Sequence, residues 1–314
     1  MKPAKRSSDI SEVPQQISWR RRLRPIIPPL LIADVPWLLY RAFFSLPKSI
    51  VDGEGRPVNA LLGTVNALLA AIEARPPRAV AACLGAEEAA YRVELYPGYH
   101  AHRDPMPPEL ADQWERAPGL LASLGWTVAG SEELEADDVM FSFAEVEREA
   151  GGRALLLTGD RDLFQAVGER VAILELRKEG EPAEIGPDEV RERYGIDPGQ
   201  VADFIALRGD PSDGLPGAPG IGAKTAAELL QRHGSLEKAL RAVEDSPTRE
   251  RPRTVAALRE NAGLLRTFKE IATLVRVDVQ RPGDRPTGYE AGAEVARELG
   301  MNRLADRLAS LAVA

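Results

Sequence analysis

Ala154-Leu155-Leu156-Leu157-Thr158-Gly159-Asp160-Arg161-Asp162 sets four consecutive apolar residues directly before a turn that carries two carboxylates. A short run without polar alternation suits a strand buried on both faces, and Thr, Gly and Asp supply the turn that ends it. The same order appears upstream, where Leu30-Leu31-Ile32-Ala33 closes on Asp34. Ala79-Val80-Ala81-Ala82-Cys83-Leu84, Trp126-Thr127-Val128-Ala129 and Val171-Ala172-Ile173-Leu174 read as further buried strands. Between these runs, residues 60–74, 109–124, 135–150 and 162–167 have helical spacing or composition. Strands alternating with helices predict an α/β fold in which helices wrap a parallel sheet.

Beyond about residue 186 the strand signal fades. Helices are predicted over 187–194, 198–207, 223–233, 236–242 and 254–274, one returning strand over 275–279, and a terminal helical piece over 289–311. The predicted organisation is a disordered basic tail (1–27), a sheet domain (28–185), a smaller helical domain (186–290) and a C-terminal helical segment (291–314).

Composition narrows the function classes. The 314 residues are 44% apolar and 28% charged, the proportions of a soluble globular chain of about two domains. The stretch 26–39 is interrupted by Pro28, Pro29, Asp34 and Pro36, which argues against a membrane span. Residues 1–25 carry seven basic and two acidic side chains without the apolar core of a secretory signal. A single cysteine, Cys83, excludes an intramolecular disulfide framework and favours the cytoplasm. The net charge of -8 argues, taken alone, against a polyanionic ligand.

The positions of the acids change that reading. Ligands of open parallel sheets bind outside the carboxyl ends of the strands. Asp34, Asp160 and Asp162 all fall there, and Glu135-Ala136-Asp137-Asp138 opens a helix after the third strand. Each has an ordinary explanation as a cap, a turn residue or an acid favoured by a helix dipole. Gathered at one edge, however, unpaired carboxylates repel one another, and divalent cations with oxygen preference relieve that repulsion. A second group, Gly209-Asp210-Pro211-Ser212-Asp213-Gly214-Leu215-Pro216-Gly217-Ala218-Pro219-Gly220-Ile221-Gly222-Ala223-Lys224-Thr225-Ala226, joins two more acids to a glycine-rich turn that feeds a helix. Free N–H groups at such a helix start suit a phosphate backbone, and Lys224 adds a point charge. Without these eight acids, 40 acidic residues remain to balance 40 basic ones, so net charge no longer excludes nucleic acid.

These motifs resemble the 5'-to-3' exonucleases and flap endonucleases, above all the amino-terminal nuclease domain of bacterial DNA polymerase I and its free-standing relatives. The resemblance runs from about residue 29 to about 282, and no polymerase segment follows within the chain. It is carried by Leu31-Ile32-Ala33-Asp34, Tyr40-Arg41-Ala42-Phe43-Phe44, Gly55-Arg56-Pro57-Val58-Asn59-Ala60, Glu135-Ala136-Asp137-Asp138-Val139, Thr158 to Gln165 and Gly209 to Thr225, in the family's order. It implies a PIN-like (resolvase-like) nuclease domain, a helix-three-turn-helix DNA-binding domain, and hydrolysis of DNA with two or more divalent cations, Mg2+ or Mn2+. Asp34, Glu135, Asp137 and Asp138 would serve one metal cluster, and Asp160, Asp162, Asp210 and Asp213 the other, with Asp34, Asp137 and Arg92 as catalytic residues. Tyr91 to Arg103 looks like the gateway segment, so that Arg92, Tyr99, His100 and Arg103 would contact DNA, as would Gly220, Gly222, Lys224 and Thr225 in the glycine-rich turn. The implied partner is DNA with 5' ends, flaps or branches, bound by a monomer without sequence specificity.

Two positions depart from the family pattern. Where its second strand ends in Asp, this chain has Cys83-Leu84-Gly85-Ala86-Glu87-Glu88. The loss predicts weaker first-site binding, with manganese favoured over magnesium, and leaves a weakened DNA-binding member as the alternative reading. His100 stands where the gateway ordinarily has lysine. A compact single-stranded RNase shares the acid-edged sheet but lacks an element like Gly209 to Thr225.

Overall fold

The computed structural model describes residues 28–177, 181–244 and 250–313. The segment predicted as a disordered basic tail lies outside the described residues. Six strands, β1 (Leu30–Asp34), β2 (Ala79–Cys83), β3 (Thr127–Ala129), β4 (Ala154–Leu157), β5 (Val171–Glu175) and β6 (Ala183–Ile185), form one sheet in the order β3-β2-β1-β4-β5-β6. All neighbours pair in parallel except β5 and β6. The register sets the strand ends level. Asp34 lies opposite Cys83, and Ala33 opposite Leu157, so the acidic turn after β4 emerges beside Asp34.

Five helices accompany the sheet: α1 (Val35–Ser45), α2 (Asn59–Ala74), α3 (Ala90–Leu95), α4 (Pro108–Ser123) and α5 (Ala136–Glu149). Then come α6 (Pro187–Tyr194), α7 (Val201–Arg208), α8 (Ala223–His233), α9 (Leu236–Glu244), α10 (Pro252–Ala272), α11 (Tyr289–Glu298) and α12 (Asn302–Ala312). Because successive side chains of a strand point to opposite faces, β1 divides itself between two cores. Leu30 and Ile32 pack with Val139 and Phe143 of α5 and reach a cluster that includes Phe204, Leu230 and Phe268. Leu31 and Ala33 pack with Leu38, Leu68 and Leu121, together with Leu304 and Leu308 of α12. A buried polar clasp fixes α4 against the first two helices. Gln113 Oε1 accepts from the Ala60 N–H at 2.7 Å, and its amide donates to Asn59, whose own amide donates to the Phe43 and Leu46 carbonyls.

The structure corrects the prediction of a strand over 275–279. Residues 274–288 form an extended strap whose first hydrogen bonds go to side chains of α5 and its neighbours instead of to a strand edge, while Arg285 and Gly288 farther on donate to the Arg78 and Leu124 carbonyls. Val275 N–H donates to Asp138 Oδ1 at 2.7 Å and Val277 N–H to Ser142 Oγ at 2.8 Å. Farther along, Arg281 pairs with buried Glu147, and Arg78 bridges Glu147, the Pro282 carbonyl and Asp284. The predicted third strand shrinks to three half-buried residues because β3 is the sheet's edge. Three residues are also too few to betray β6, and the predicted helix over 162–167 is the 3-10 turn Asp162–Ala166.

Candidate active site

Asp34 ends β1 and caps α1. Its Oδ1 accepts from the Trp37 N–H at 2.9 Å and its Oδ2 from the Thr158 hydroxyl at 2.7 Å. The cap explains why α1 starts where it does, and the strand register explains why Thr158 is in reach. Two residues on, Asp160 Oδ1 accepts from the Asp162 N–H at 2.9 Å, which shapes the turn after β4. Asp137 sits in the first turn of α5. No basic side chain is ion-paired with Asp34, Asp137, Asp160 or Asp162 among the described residues. Burial, and then mutual repulsion, therefore hold Asp137 and Asp162 well above the ordinary carboxylate range and push Asp160 up to about 7. Burial likewise raises Asp34, with its two hydrogen bonds opposing.

The other four acids have protein donors, although Asp138 keeps one buried oxygen without a partner and burial raises it above the ordinary carboxylate range against the opposing pull of Arg92. Arg92 is 3% exposed and bridges Glu135 Oε1 at 3.0 Å and Asp138 Oδ1 at 2.9 Å. Glu135 also accepts from the Tyr99 hydroxyl and the Ala89 N–H. Asp213 faces His100 Nε2 at 3.2 Å and Arg103 at 3.3 Å, while Asp210 accepts from Arg208 at 3.1 Å and from Ser212. Arg92, expected to act on and contact DNA, has both terminal nitrogens engaged by carboxylates while its side chain still lines the acidic cleft. Tyr99 is likewise buried, with its hydroxyl spent on Glu135 and its ring stacked on His100 at 3.8 Å. His100 has φ 54°, the one positive φ outside glycine among the described residues, and its N–H donates to the Asp213 carbonyl. The gateway segment is latched to the second acidic loop by these contacts.

Asp34, Glu135, Asp137, Asp160, Asp162 and Asp213 line a cleft of about 810 Å³ together with Arg92, Tyr99 and His100, whereas Asp138 and Asp210 are not part of its lining. Its other flank is aromatic. Trp37, Tyr40 and Phe44 recur at i, i+3 and i+7 on the side of α1 opposite its buried face, and Trp114 of α4 meets Tyr40 edge-on at 6.5 Å. Phe44 is 70% exposed. This shelf was not singled out from the sequence, although its helical spacing beside a separate core stripe is a readable signal. Exposed Glu87 and Glu88 and half-exposed Arg103 complete the rim. Away from the cleft, Gly220 and Thr225 line a second hollow with Arg232 and Arg253, and Lys224 and Gly222 are exposed at the start of α8.

Gly85 has a geometric role. A Cβ there would lie 2.3 Å from the Ala136 nitrogen, 2.4 Å from the Glu135 carbonyl carbon and 2.7 Å from the Leu134 oxygen. The start of α5 is seated directly on the end of β2, and the Ala86 N–H donates to the Leu134 carbonyl at 2.9 Å. No side chain fits at that position without moving backbone. Neighbouring Cys83 is buried in β2, and burial pushes its thiol well up, as suits a core residue.

The donors around the cleft are mainly carboxylate oxygens, with His100 the one imidazole in the lining, a set that fits a hard divalent cation. Among the described residues no three His, Cys, Asp or Glu side chains converge on one point.

Comparison with known proteins gives the family. Residues 29–195 match the model of the 5'-3' exonuclease N-terminal resolvase-like domain, and residues 196–284 that of the 5'-3' exonuclease C-terminal SAM fold. The chain belongs to the 5'-3' exonuclease family. A 5'-3' exonuclease of Mycobacterium tuberculosis is 36% identical over 309 residues, covering 89% of this chain and 96% of the relative. One of Streptomyces coelicolor is 35% identical over 285 residues, covering 86% and 93%. DNA polymerase I of Mycobacterium bovis is 37% identical over 251 residues, of which the chain spans only 27% of the polymerase's length. The fold is shared with the bacteriophage T5 flap endonuclease solved as a pseudo-enzyme-product complex with DNA and metal ions, at TM-score 0.64, 17% identity and coverage of 91% and 100%. It is shared also with the catalytic core of Rad2 in complex with a DNA substrate, at TM-score 0.61, 13% identity and coverage of 90% and 92%. By family the protein is therefore a 5'-3' exonuclease. The alternative of a weakened binder draws no support from these matches.

Proposed function

We propose that the protein hydrolyses phosphodiester bonds of DNA bearing a 5' end or 5' flap, using two or more divalent cations, Mg2+ or Mn2+. The observation that carries this reading is the cleft itself, with four carboxylates lacking basic partners on one flank and an aromatic shelf on the other. Asp34, Asp137, Asp160 and Asp162 are the residues that would hold the cations, with Asp213 joining from the second loop. When bound, such cations supply charge neutralisation and an activated water for in-line displacement.

The chain's own groups do the rest. Thr158 and the Trp37 N–H orient the Asp34 carboxylate, and the Asp162 N–H orients Asp160. Glu135 and Asp138 share the single positive charge of Arg92 and brace the start of α5, and Glu135, which also lines the cleft, would join the acids that hold the cations. The aromatic shelf offers π faces to unstacked bases, which any sequence can use. Arg103 lends a partly exposed positive charge at the rim, and the exposed start of α8 with Lys224 suits a duplex backbone. A single copy carries every group invoked, which supports action as a monomer. The lone buried cysteine supports a reducing, cytoplasmic setting.

The test is cleavage of a 5'-labelled flap duplex against its single strand and RNA counterpart, titrated separately with magnesium and manganese. Metal-dependent products from the flap and the 5' end are expected. Absence of product from every DNA substrate under both metals would defeat the reading.

A further inference from the structure

Arg92 makes a third contact that its two carboxylate partners do not explain. Its Nε donates to the Ile271 carbonyl at 3.0 Å, in the last turn of α10. Around that point the end of α10 is fastened repeatedly. Gln165 donates to the Ala272 carbonyl at 2.9 Å and accepts from the Leu274 N–H at 3.0 Å, and the Val275 N–H donates to the same Asp138 oxygen that Arg92 engages. Two of these ties, from Arg92 and from Val275, end on Asp138, the residue next to Asp137.

The opposite end of α10 reaches the glycine-rich turn. Arg253, in its first turn, packs its guanidinium against Gly220, where an added Cβ would lie 3.0 Å from Nη2. The 21 residues from Pro252 to Ala272 form one helix with no internal proline, a rod of about 31 Å. One end of the rod touches the proposed duplex grip and the other is tied to the acid-bearing start of α5. The one positive charge of Arg92 already faces two carboxylates, and three of its five N–H groups are held by three segments of chain.

We infer that Arg92 is a positioning residue that fastens α10 to the start of α5, so that α10 sets the spacing between the duplex grip at Gly220 and the cutting acids. This rests on the reading of the cleft as a DNA-cleaving site. It assigns Arg92 to the register of the cut instead of to contact with the scissile phosphate.

The experiment compares the full-length chain with Arg92→Gln and Arg92→Lys in two measurements. The first is amide hydrogen exchange without DNA. Loosening the joint exposes the Leu274 and Val275 amides, with about tenfold faster exchange in Arg92→Gln and a smaller change in Arg92→Lys. The middle of α10 stays as protected as in the parent. The second is the product ladder from a 5'-labelled flap duplex. The parent gives one dominant cut, whereas Arg92→Gln spreads cuts to neighbouring bonds and loses about 100-fold in kcat with KM little changed. Unchanged protection at Leu274 and Val275 overturns the inference, as does a single sharp cut with a raised KM and a weaker salt dependence, the pattern of a phosphate contact. If Arg92→Gln does not fold, Arg92→Lys is read by the same two criteria. If the parent cuts no DNA, the functional reading fails separately while the exchange measurement still decides whether Arg92 is the fastener.

Discussion

Asp137 and Asp138 follow one another on α5, and the helix turns them into electrically opposite regions. Asp137 faces the cleft with Asp34, Asp160 and Asp162, where repulsion is unrelieved by any basic partner among the described residues. Asp138 faces the wall behind, fully buried, with Arg92 and the Val275 N–H on one of its oxygens. Burial raises both carboxylates, but neighbouring acids add to that cost at Asp137 whereas Arg92 and the Val275 N–H oppose it at Asp138. A step of one residue along a helix rotates a side chain by about 100°, so a pair of acids can divide between chemistry and scaffolding. The difference teaches that acids of a cation site are recognised by the partners they lack.

Replacing one carboxylate from each side strains the contrast most. Asp137→Asn is expected to lower single-turnover cleavage by about 10³-fold or more, while raising the melting temperature of the metal-free protein by removing a repelled charge. Asp138→Asn is expected to do the reverse in stability. It leaves Arg92 half-paired in the interior and costs about 3 kcal/mol, read by thermal or denaturant unfolding. A destabilised Asp137→Asn, or an Asp138→Asn as stable as the parent, would break the comparison. Next in size is Gly85→Asp. Adding a carboxylate to an acid site should strengthen cation binding if space allows, but the backbone of residues 134–136 fills that space. The expected result is loss of stability and no gain in Mn2+ affinity by calorimetry.

The aromatic flank sharpens the comparison from the other side of the cleft. Trp114→Ala and Phe44→Ala should each weaken binding of an unpaired strand by about 1–3 kcal/mol, measured by fluorescence anisotropy, with duplex binding unaffected. The smallest effect is on pH. The Asp160 pKa in the folded chain, about 7, lies above its ordinary value of 3.8. Its favourable contribution is therefore complete below about pH 4 and is withdrawn as pH rises through about 7. The metal-free protein should melt at progressively lower temperature between pH 5 and 8, and Asp160→Asn should flatten that slope.

Much of this was legible before any coordinates. Short unbroken apolar runs closed by turn residues, such as Leu30 to Ala33 and Ala154 to Leu157, suit strands buried on both faces, and parallel pairing brings their trailing acids to one edge. The partners of those acids were not legible, because they come from distant positions without local pattern. Nothing near Arg92 announces that its guanidinium closes on Glu135, Asp138 and Ile271. The extended residues 275–279 have the composition of a strand, yet their hydrogen-bond acceptors are side chains on α5. At Gly85 the sequence reads as a missing acid, whereas the structure reads as a missing obstacle to the seating of α5.

The strap bears on how the enzyme comes into being. Val275 reaches back 137 positions to Asp138, Arg281 134 positions to Glu147, and Asp284 206 positions to Arg78. A ribosome extends the chain from the amino terminus, and contacts so far apart in sequence form slowly. The wall that bears Asp138 and Glu147 is synthesised long before the segment that completes its hydrogen bonds. Cutting capacity is thus one of the last things the nascent chain acquires, and a polypeptide stalled before residue 275 carries the acids of a nuclease without the closure that sets them in place.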